Sequence, residues 1–102
     1  MIVIYGIKEH LNPVKAQLFE VIHGCMQSVL GMSENKGAHR FIPMDAEDFY
    51  YPGGRTPTYT VIGINTMQGR APETQKALIK ELFNRIESVV GISPVDVEVT
   101  LK

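Results

Sequence analysis

The chain has 102 residues, of which 44% are hydrophobic, so it has material for one modest core in one domain. Its formal charge of −1 at pH 7 provides no basic surface for phosphates, which argues against a nucleic-acid partner. The single cysteine, Cys25, excludes an internal disulfide and favours a reducing compartment such as the cytoplasm. Residues 1–7 lack a basic leader and stop at Lys8, so neither a signal peptide nor a membrane span is expected.

The first half of the chain shows the pattern of a strand followed by a helix. Residues 1–5 are apolar and β-branched and are closed by Gly6, which predicts a buried strand. Residues 8–11 are expected to form a turn. Asn12 suits a helix N-cap, and apolar residues then recur at helical spacing until Gly31, which predicts one long helix. Residues 33–38 are polar and are expected to form a loop.

The remaining segments predict three strands and a second helix around an irregular linker. Residues 40–44 form the first of these strands, and Pro43 favours a position at the edge of a sheet. The linker spans residues 45–57, and a strand is expected at 59–66. The second helix is predicted at about 72–90, with Pro72 in its first turn. After Gly91, apolar and polar residues alternate from Val95 to Lys102, which is typical of a half-buried strand.

The two halves of the chain repeat each other. Segment 28–33, with the sequence SVLGMS, corresponds to segment 88–93, with the sequence SVVGIS, and the same offset pairs Leu18 with Leu78. We therefore predict an α/β (α+β) fold built from tandem β-α-β repeats at about 1–44 and 58–102. Its four-stranded mixed sheet carries both helices on one face. The other face is expected to be apolar and to require a partner subunit.

A strand-turn-helix junction in the second half carries a resemblance to a known family. The run from Gly69 to Lys76, with the sequence GRAPETQK, and the later run ISPVDVEV resemble the 4-oxalocrotonate tautomerase subunit of the tautomerase superfamily. The resemblance covers roughly residues 58–102. A doubled version of that subunit is similar to macrophage migration inhibitory factor and the cis-3-chloroacrylic acid dehalogenases. The resemblance implies a homotrimer, a tail beyond Lys102 that pairs with a neighbouring subunit, and no cofactor.

The family resemblance also implies site residues. Its catalytic group is an N-terminal proline, whereas this chain begins with Met1 and Ile2, so only the Met1 amine remains to transfer protons at that place. Arg70 matches the family's substrate-binding arginine and suits a carboxylate, since its guanidinium donates two parallel hydrogen bonds. A second family arginine corresponds to Glu98 in the second half and to Arg40 in the first. Arg40 is the weaker candidate, with a surface salt bridge as the alternative.

Residues of the irregular linker provide further candidates. Tyr50, Tyr51 and Arg55 form an aromatic and basic group that would suit the wall of a pocket between subunits. His23 and Cys25 are two residues apart on a helix and face different directions, so we expect no metal site there.

Three functions follow from these observations. The first is a tautomerase or isomerase acting on a small carboxylate or 2-oxo acid in a pocket between subunits. The second is a noncatalytic trimer that keeps the fold and binds a small ligand, which the absence of the proline favours. The third is a ferredoxin-like module that binds RNA or an effector, but the neutral charge and the absence of a basic, aromatic strand argue against RNA.

Overall fold

Two β-α-β units form the fold. The structure is a computed structural model that describes residues 1–33, 38–65 and 69–102. The first unit contains β1 (Ile2–Ile7), the short helix α1 (Lys8–Leu11), a 3-10 turn (Asn12–Val14), α2 (Lys15–Leu30) and β2 (His39–Met44). After a 3-10 turn (Ala46–Asp48), the second unit contains β3 (Thr60–Ile64), α3 (Pro72–Arg85), a π-helical turn (Ile86–Val90), a 3-10 turn (Pro94–Asp96) and β4 (Val97–Leu101).

The four strands form one mixed sheet in the order β2-β1-β3-β4. Each unit contributes a parallel pair, and the two units join where β1 runs antiparallel to β3, with Ile2 opposite Ile64. The predicted fold class is therefore confirmed, including the edge position of the strand that contains Pro43. Among the described helices, none combines the length and apolarity needed to cross a bilayer.

The core lies between the sheet and the two long helices. Alternate residues of a strand point to the same face, so Ile2 and Ile4 of β1 meet Ile62 and Ile64 of β3 on the helix side. The helices cover this layer with residues at helical spacing, which include Leu18, Ile22 and Met26 of α2 and Leu78, Leu82 and Ile86 of the second helical segment. The apolar residues whose helical spacing predicted the two helices are thus the residues that pack against the sheet.

Both helix ends follow the prediction, whereas the start of the first long helix does not. Both long helical segments stop at a glycine with left-handed backbone, Gly31 at φ 67° and Gly91 at φ 83°, a conformation that other residues rarely adopt. Residues 8–11, however, form helix α1 instead of the expected turn. The predicted N-cap is also wrong, because Asn12 begins the 3-10 turn and its Oδ1 accepts a hydrogen bond from Lys15 Nζ at 3.3 Å.

The last strand begins later than its alternation predicted. Val95 was expected to be buried and Asp96 exposed, but Val95 is 51% exposed and Asp96 only 4%. The reason is a set of long-range hydrogen bonds. The Asp96 carboxylate accepts from the Thr56 amide at 2.8 Å and from the hydroxyls of Thr56 and Thr58 at 2.6 and 2.8 Å. A buried carboxylate with three hydrogen-bond donors is well satisfied. These contacts with distant residues, and not the alternating pattern of the strand, therefore decide that Asp96 is buried.

Two other predicted segments extend past the described structure. The third predicted strand is observed as Thr60–Ile64, and its last predicted residue, Thr66, lies outside the described residues. Residues 34–37 of the predicted polar loop also lie outside them.

The sheet face opposite the helices, here called the open face, is not uniformly apolar as predicted. Near the end of β1, Ile7 is covered by Phe49 and Tyr59 in a second small apolar cluster. At the start of β1, the open face instead carries polar side chains beside Val3, namely Arg40, Asn65, Thr100 and Lys102. The face therefore has an aromatic end and a polar end.

Candidate functional site

The polar end is fixed by backbone hydrogen bonds that join three strands to the chain start. The Asn65 amide donates to the Met1 carbonyl at 3.1 Å, and the Ile2 amide donates to the Ala38 carbonyl at 3.0 Å. The Lys102 amide donates to the Ile64 carbonyl at 2.9 Å. We call this region, defined by Met1, Asn65 and Lys102, the Met1 end. It brings together the start of β1 and the ends of β3 and β4.

One of the predicted arginines, Arg40, belongs to this region. Arg40 is the second residue of β2 and lies opposite Val3, so its side chain leaves the sheet on the open face. It is exposed, and its Nη1 donates to the His39 carbonyl at 3.0 Å. The surface salt bridge considered for Arg40 is absent among the described residues. Arg40 therefore keeps donors available for an anion.

Arg70 lies five positions after Asn65, where the chain turns from β3 into α3. Gly69 precedes it with φ 84°, a left-handed conformation that suits glycine. The Arg70 side chain is exposed, while its carbonyl accepts from Gln75 Nε2 at 3.1 Å. Pro72 begins α3, as predicted. The junction therefore fixes the Arg70 backbone and leaves its guanidinium in solvent.

Beside Met1 the open face contains a shallow depression of about 150 Å³. Its lining spans β1, β3 and β4 and consists of Val3, Tyr5, Gly63, Asn65, Thr100 and Lys102. Of these residues only Lys102 carries a charge. Sequence reasoning missed this group, because none of its members belongs to a recognisable motif.

The predicted aromatic group lies at the opposite end of the sheet. Tyr51 stacks on Tyr59 with ring centroids 6.0 Å apart, and Tyr59 belongs to the cluster at the end of β1. The hydrogen bond to Glu98 raises the pKa of Tyr59. Arg55 lies close enough to Tyr59 to act in the opposite direction, but its effect on this pKa is smaller. Tyr50 is 90% exposed. Within one chain, the structure thus separates Tyr50, Tyr51 and Arg55 from Met1, Arg40 and Arg70.

Glu98, the residue that reverses the charge of a family arginine, has a structural partner. Its Oε1 accepts from the Tyr59 hydroxyl at 2.7 Å, across the neighbouring strands β4 and β3. The carboxylate is therefore engaged at the aromatic end of the open face.

A second unpredicted feature is a ring cluster between α2 and the start of β2. The His39 ring packs edge to face on the Phe19 ring, with centroids 4.7 Å apart, and its centroid lies 5.9 Å from that of His23. The His23 ring stacks on Phe19 with centroids 5.5 Å apart. Both ring nitrogens of His39 are shielded from solvent and lack a hydrogen-bond partner among the described residues. Burial lowers the pKa of His39 to about 4, and the positive charges of His23 and the terminal amino group act in the same direction.

This cluster should make the protein less stable in acid. The pKa of His39 is about 4 in the folded chain against 6.5 for an ordinary histidine, so the unfolded chain binds more protons between these values. The contribution of neutral His39 to the stability of the folded chain is therefore complete above pH 6.5 and is lost as the pH falls towards 4. Because His39 is partly solvent-exposed, we expect the loss to be about 1 kcal/mol, less than the full shift implies.

Urea unfolding at pH 7 and pH 5 tests this expectation. The His39→Phe variant keeps a ring against Phe19 but has no titrating group, so it should lose about 1 kcal/mol less than the parent between the two pH values. Equal losses in parent and variant would contradict the assignment to His39.

Groups that could hold a metal offer little support for one. Asp45, Glu47 and Asp48 have carboxylate oxygens within 4.8 Å of one another, but all three are exposed. Asp45 is already paired with Lys8 at 2.7 Å. Cys25 is buried, and burial raises the pKa of its thiol to about 11, so it stays protonated at neutral pH.

Comparison with known proteins agrees with this architecture. The sequence profile of a family described as "Tautomerase enzyme" matches residues 36–102, about two thirds of the chain. A structure of malonate semialdehyde decarboxylase is 19% identical with a TM-score of 0.91, covering 100% of this chain and 82% of that one. Native fused 4-OT is 22% identical with a TM-score of 0.83, and the match covers 99% of this chain and 84% of that one. A member of the cis-3-chloroacrylic acid dehalogenase family, N1, is 13% identical with a TM-score of 0.86, and the match covers 99% of this chain and 72% of that one.

Proposed function

The chain belongs to the tautomerase family, and we propose that it binds a small 2-oxo acid at the Met1 end and acts on it as a slow tautomerase. The observation that carries this proposal is the charge distribution. Arg40 lies on edge strand β2, the terminal amine precedes β1, Arg70 follows the end of β3 and Lys102 follows edge strand β4, and none of the described strand residues at this end is acidic. Such an arrangement attracts an anion and suits a carboxylate.

In this proposal the residues have separate roles. The Arg70 guanidinium holds the carboxylate through parallel hydrogen bonds, and Arg40 adds positive charge from β2. The unprotonated Met1 amine removes a proton from the carbon next to the 2-oxo group. The Met1 ammonium formed in this step then gives the proton to the oxo oxygen, which yields the enol, so the reaction moves one proton and needs no cofactor.

Titration with phenylpyruvate tests the binding part of the proposal. The matched control is the corresponding 2-oxo amide, which has a similar shape without the negative charge. We expect calorimetry to detect the acid and to find much weaker binding of the amide, because charged hydrogen bonds are lost. Equal binding of acid and amide would contradict recognition through the arginines.

A noncatalytic version of the same site is the second candidate. The observation that favours it is the methionine at position 1, where the family's catalytic proline is expected. This candidate predicts the same binding of the acid without measurable turnover. An assay of phenylpyruvate enolisation therefore separates the two functions.

The proposed pocket is completed by neighbouring subunits of a homotrimer. The open face leaves Ile42 40% exposed, and the depression beside Val3 is open to solvent. Fused 4-OT, a fold relative, is described as a trimer. A trimer would also bring the aromatic end of one chain, with Tyr50, Tyr51 and Arg55, close to the Met1 end of another. The expected cellular location is the cytoplasm.

Sedimentation equilibrium should give the mass of three 11.4 kDa chains. The physical reason is that a sheet with one exposed, partly apolar face is stabilised by burial against other copies. A stable monomer at micromolar concentration would contradict both the trimer and the intersubunit pocket.

A further inference from the structure

Two of the three histidines of the chain lie together on the helix side of the sheet. His23 belongs to α2, and His39 is the first residue of β2. His39 pairs with Ile2, whose side chain belongs to the main core, so its ring leaves the sheet on the face opposite the open face. The pair is therefore separated by the sheet from the proposed 2-oxo acid site and from the face that the proposed trimer covers.

The ring nitrogens of His39 have no structural role in the part of the chain that the structure describes. Both Nδ1 and Nε2 are shielded from solvent, and neither has a hydrogen-bond partner among those residues. Buried polar atoms normally have a partner, and one without it often marks a role in binding or catalysis. Burial lowers the pKa of His39 to about 4, so the ring is neutral at neutral pH. A neutral imidazole keeps a lone pair on one nitrogen, which is the form that binds a metal ion.

The spacing of the two histidine rings suits one shared ion. Their centroids lie 5.9 Å apart, and their planes are inclined by 79°. A zinc–nitrogen bond is about 2.0 to 2.1 Å long, so the centroids of two imidazoles on one zinc ion lie at most about 6.4 Å apart. The observed separation falls within this limit. Helix α2 and the pairing of β2 with β1 hold the two residues at this spacing.

The Phe19 ring gives the pair an apolar wall. It stacks on His23 and meets His39 edge to face. An apolar shell around metal-binding nitrogens limits the access of water to the ion. Phe19 and His39 are both partly exposed, so the rim of the cluster meets solvent and gives an ion a way in.

We propose that His23 and His39 together bind one divalent transition-metal ion such as Zn²⁺, with water in its remaining positions. Imidazole nitrogens suit Zn²⁺, Cu²⁺ and Ni²⁺, whereas Mg²⁺ and Ca²⁺ prefer oxygen ligands. The ion needs one nitrogen of each ring, so the second nitrogen of His23 keeps its other interaction, as is usual for a metal-binding histidine. The pair differs from the exposed carboxylates near Asp45 and from the protonated thiol of Cys25. This site requires no tautomerase activity.

Calorimetric titration of the full chain with Zn²⁺ at pH 7, after treatment with a chelator, tests the site. We expect saturable binding of one ion per chain and no binding of Mg²⁺. His39→Phe keeps a ring against Phe19, and His23→Gln keeps a good helix former in α2. Each variant should weaken Zn²⁺ binding by more than about 100-fold, since loss of a mere outer partner of a metal ligand costs up to that factor. The matched control is His10→Gln, which removes an exposed histidine from α1 at the other end of β1 and should bind like the parent.

Nitrogen NMR of the histidine rings in the parent chain identifies the ligands without any substitution. Zn²⁺ should shift one ring nitrogen of His23 and one of His39 at the same ion concentration, and should leave His10 unchanged. Absence of saturable binding, parent-like affinity in either ligand variant, or shifts confined to His10 would overturn the inference. Should a variant fail to fold, as circular dichroism would show, the ring shifts of the parent decide alone. Arg70→Ala should bind Zn²⁺ like the parent, so the outcome is independent of the 2-oxo acid site.

Discussion

A proline installed at position 1 should raise the tautomerase rate toward phenylpyruvate by about 10² to 10⁴, the usual contribution of a matched general acid or base. The variant is Met1→Pro, made with an initiator methionine that is removed after synthesis. A cyclic secondary amine would then stand where the family's catalytic base is expected. The parent chain offers a primary amine on a methionine that is 51% exposed.

The structure also decides where the proline belongs. Ile2 is 4% exposed, packs in the main core and donates its amide to the Ala38 carbonyl at 3.0 Å. Deleting Met1 and placing the proline at Ile2 would remove a buried side chain, at a cost of about 2 to 5 kcal/mol for a loss of this size. Met1→Pro leaves that packing and hydrogen bond intact.

The measurement is kcat/KM for enolisation at neutral pH. The matched control is Met1→Ala, prepared in the same way, which has a primary amine on a small residue and should stay close to the parent. A parent chain with kcat/KM at or above about 10⁴ M⁻¹s⁻¹ would show that this expectation is wrong. In that case the Met1 amine or another group already serves as an efficient base.

The fold was predictable because its signals are local and repeated. The helical spacing of Leu18 and Ile22 recurs sixty positions later in Leu78 and Leu82, and all four residues are fully buried. Glycines stop both helical segments, as the left-handed backbone requires. Each repeat therefore specifies its own strand-helix-strand unit, and the parallel pairs follow from the crossover helices.

The errors occur where distant residues decide the outcome. Asp96 looks like the polar member of an alternating strand, but Thr56 and Thr58, about forty positions away, supply the hydrogen bonds that bury it. No local pattern contains that contact. The start of the first helix is similar, because Asn12 is a favourable cap by residue type alone and its side chain pairs with Lys15 instead.

The candidate site was predictable only as separate residues, and their roles stay predictions. Arg70 was identified from a local motif, and Met1 from its position. What places Asn65 beside Met1 is the antiparallel register of β1 and β3, which no repeat or spacing specifies. Tyr51 packs at the other end of β1, against the cluster of Ile7, Phe49 and Tyr59. The register of the strands also creates the depression on the open face, whose lining comes from three strands.

Replacing Arg70 with alanine should weaken the binding of phenylpyruvate by about 1.5 to 3 kcal/mol, the range for a hydrogen bond to a charged group. The effect should be confined to the ligand. The Arg70 side chain is exposed and makes no hydrogen bond or ion pair with a described residue. The Arg70 carbonyl accepts a hydrogen bond from Gln75 Nε2, and this bond does not depend on the Arg70 side chain. Fold stability and oligomeric state should therefore stay at parent values.

Calorimetry on three variants separates the guanidinium from general charge effects. Arg70→Lys keeps the charge but loses the planar fork, so its affinity should lie between those of the parent and Arg70→Ala. Lys76→Ala removes one positive charge from an exposed position of α3 and should change the affinity by less than about 0.5 kcal/mol. If Arg70→Ala binds phenylpyruvate as tightly as Lys76→Ala does, Arg70 does not contact the carboxylate, and Arg40 or Lys102 becomes the residue to replace next.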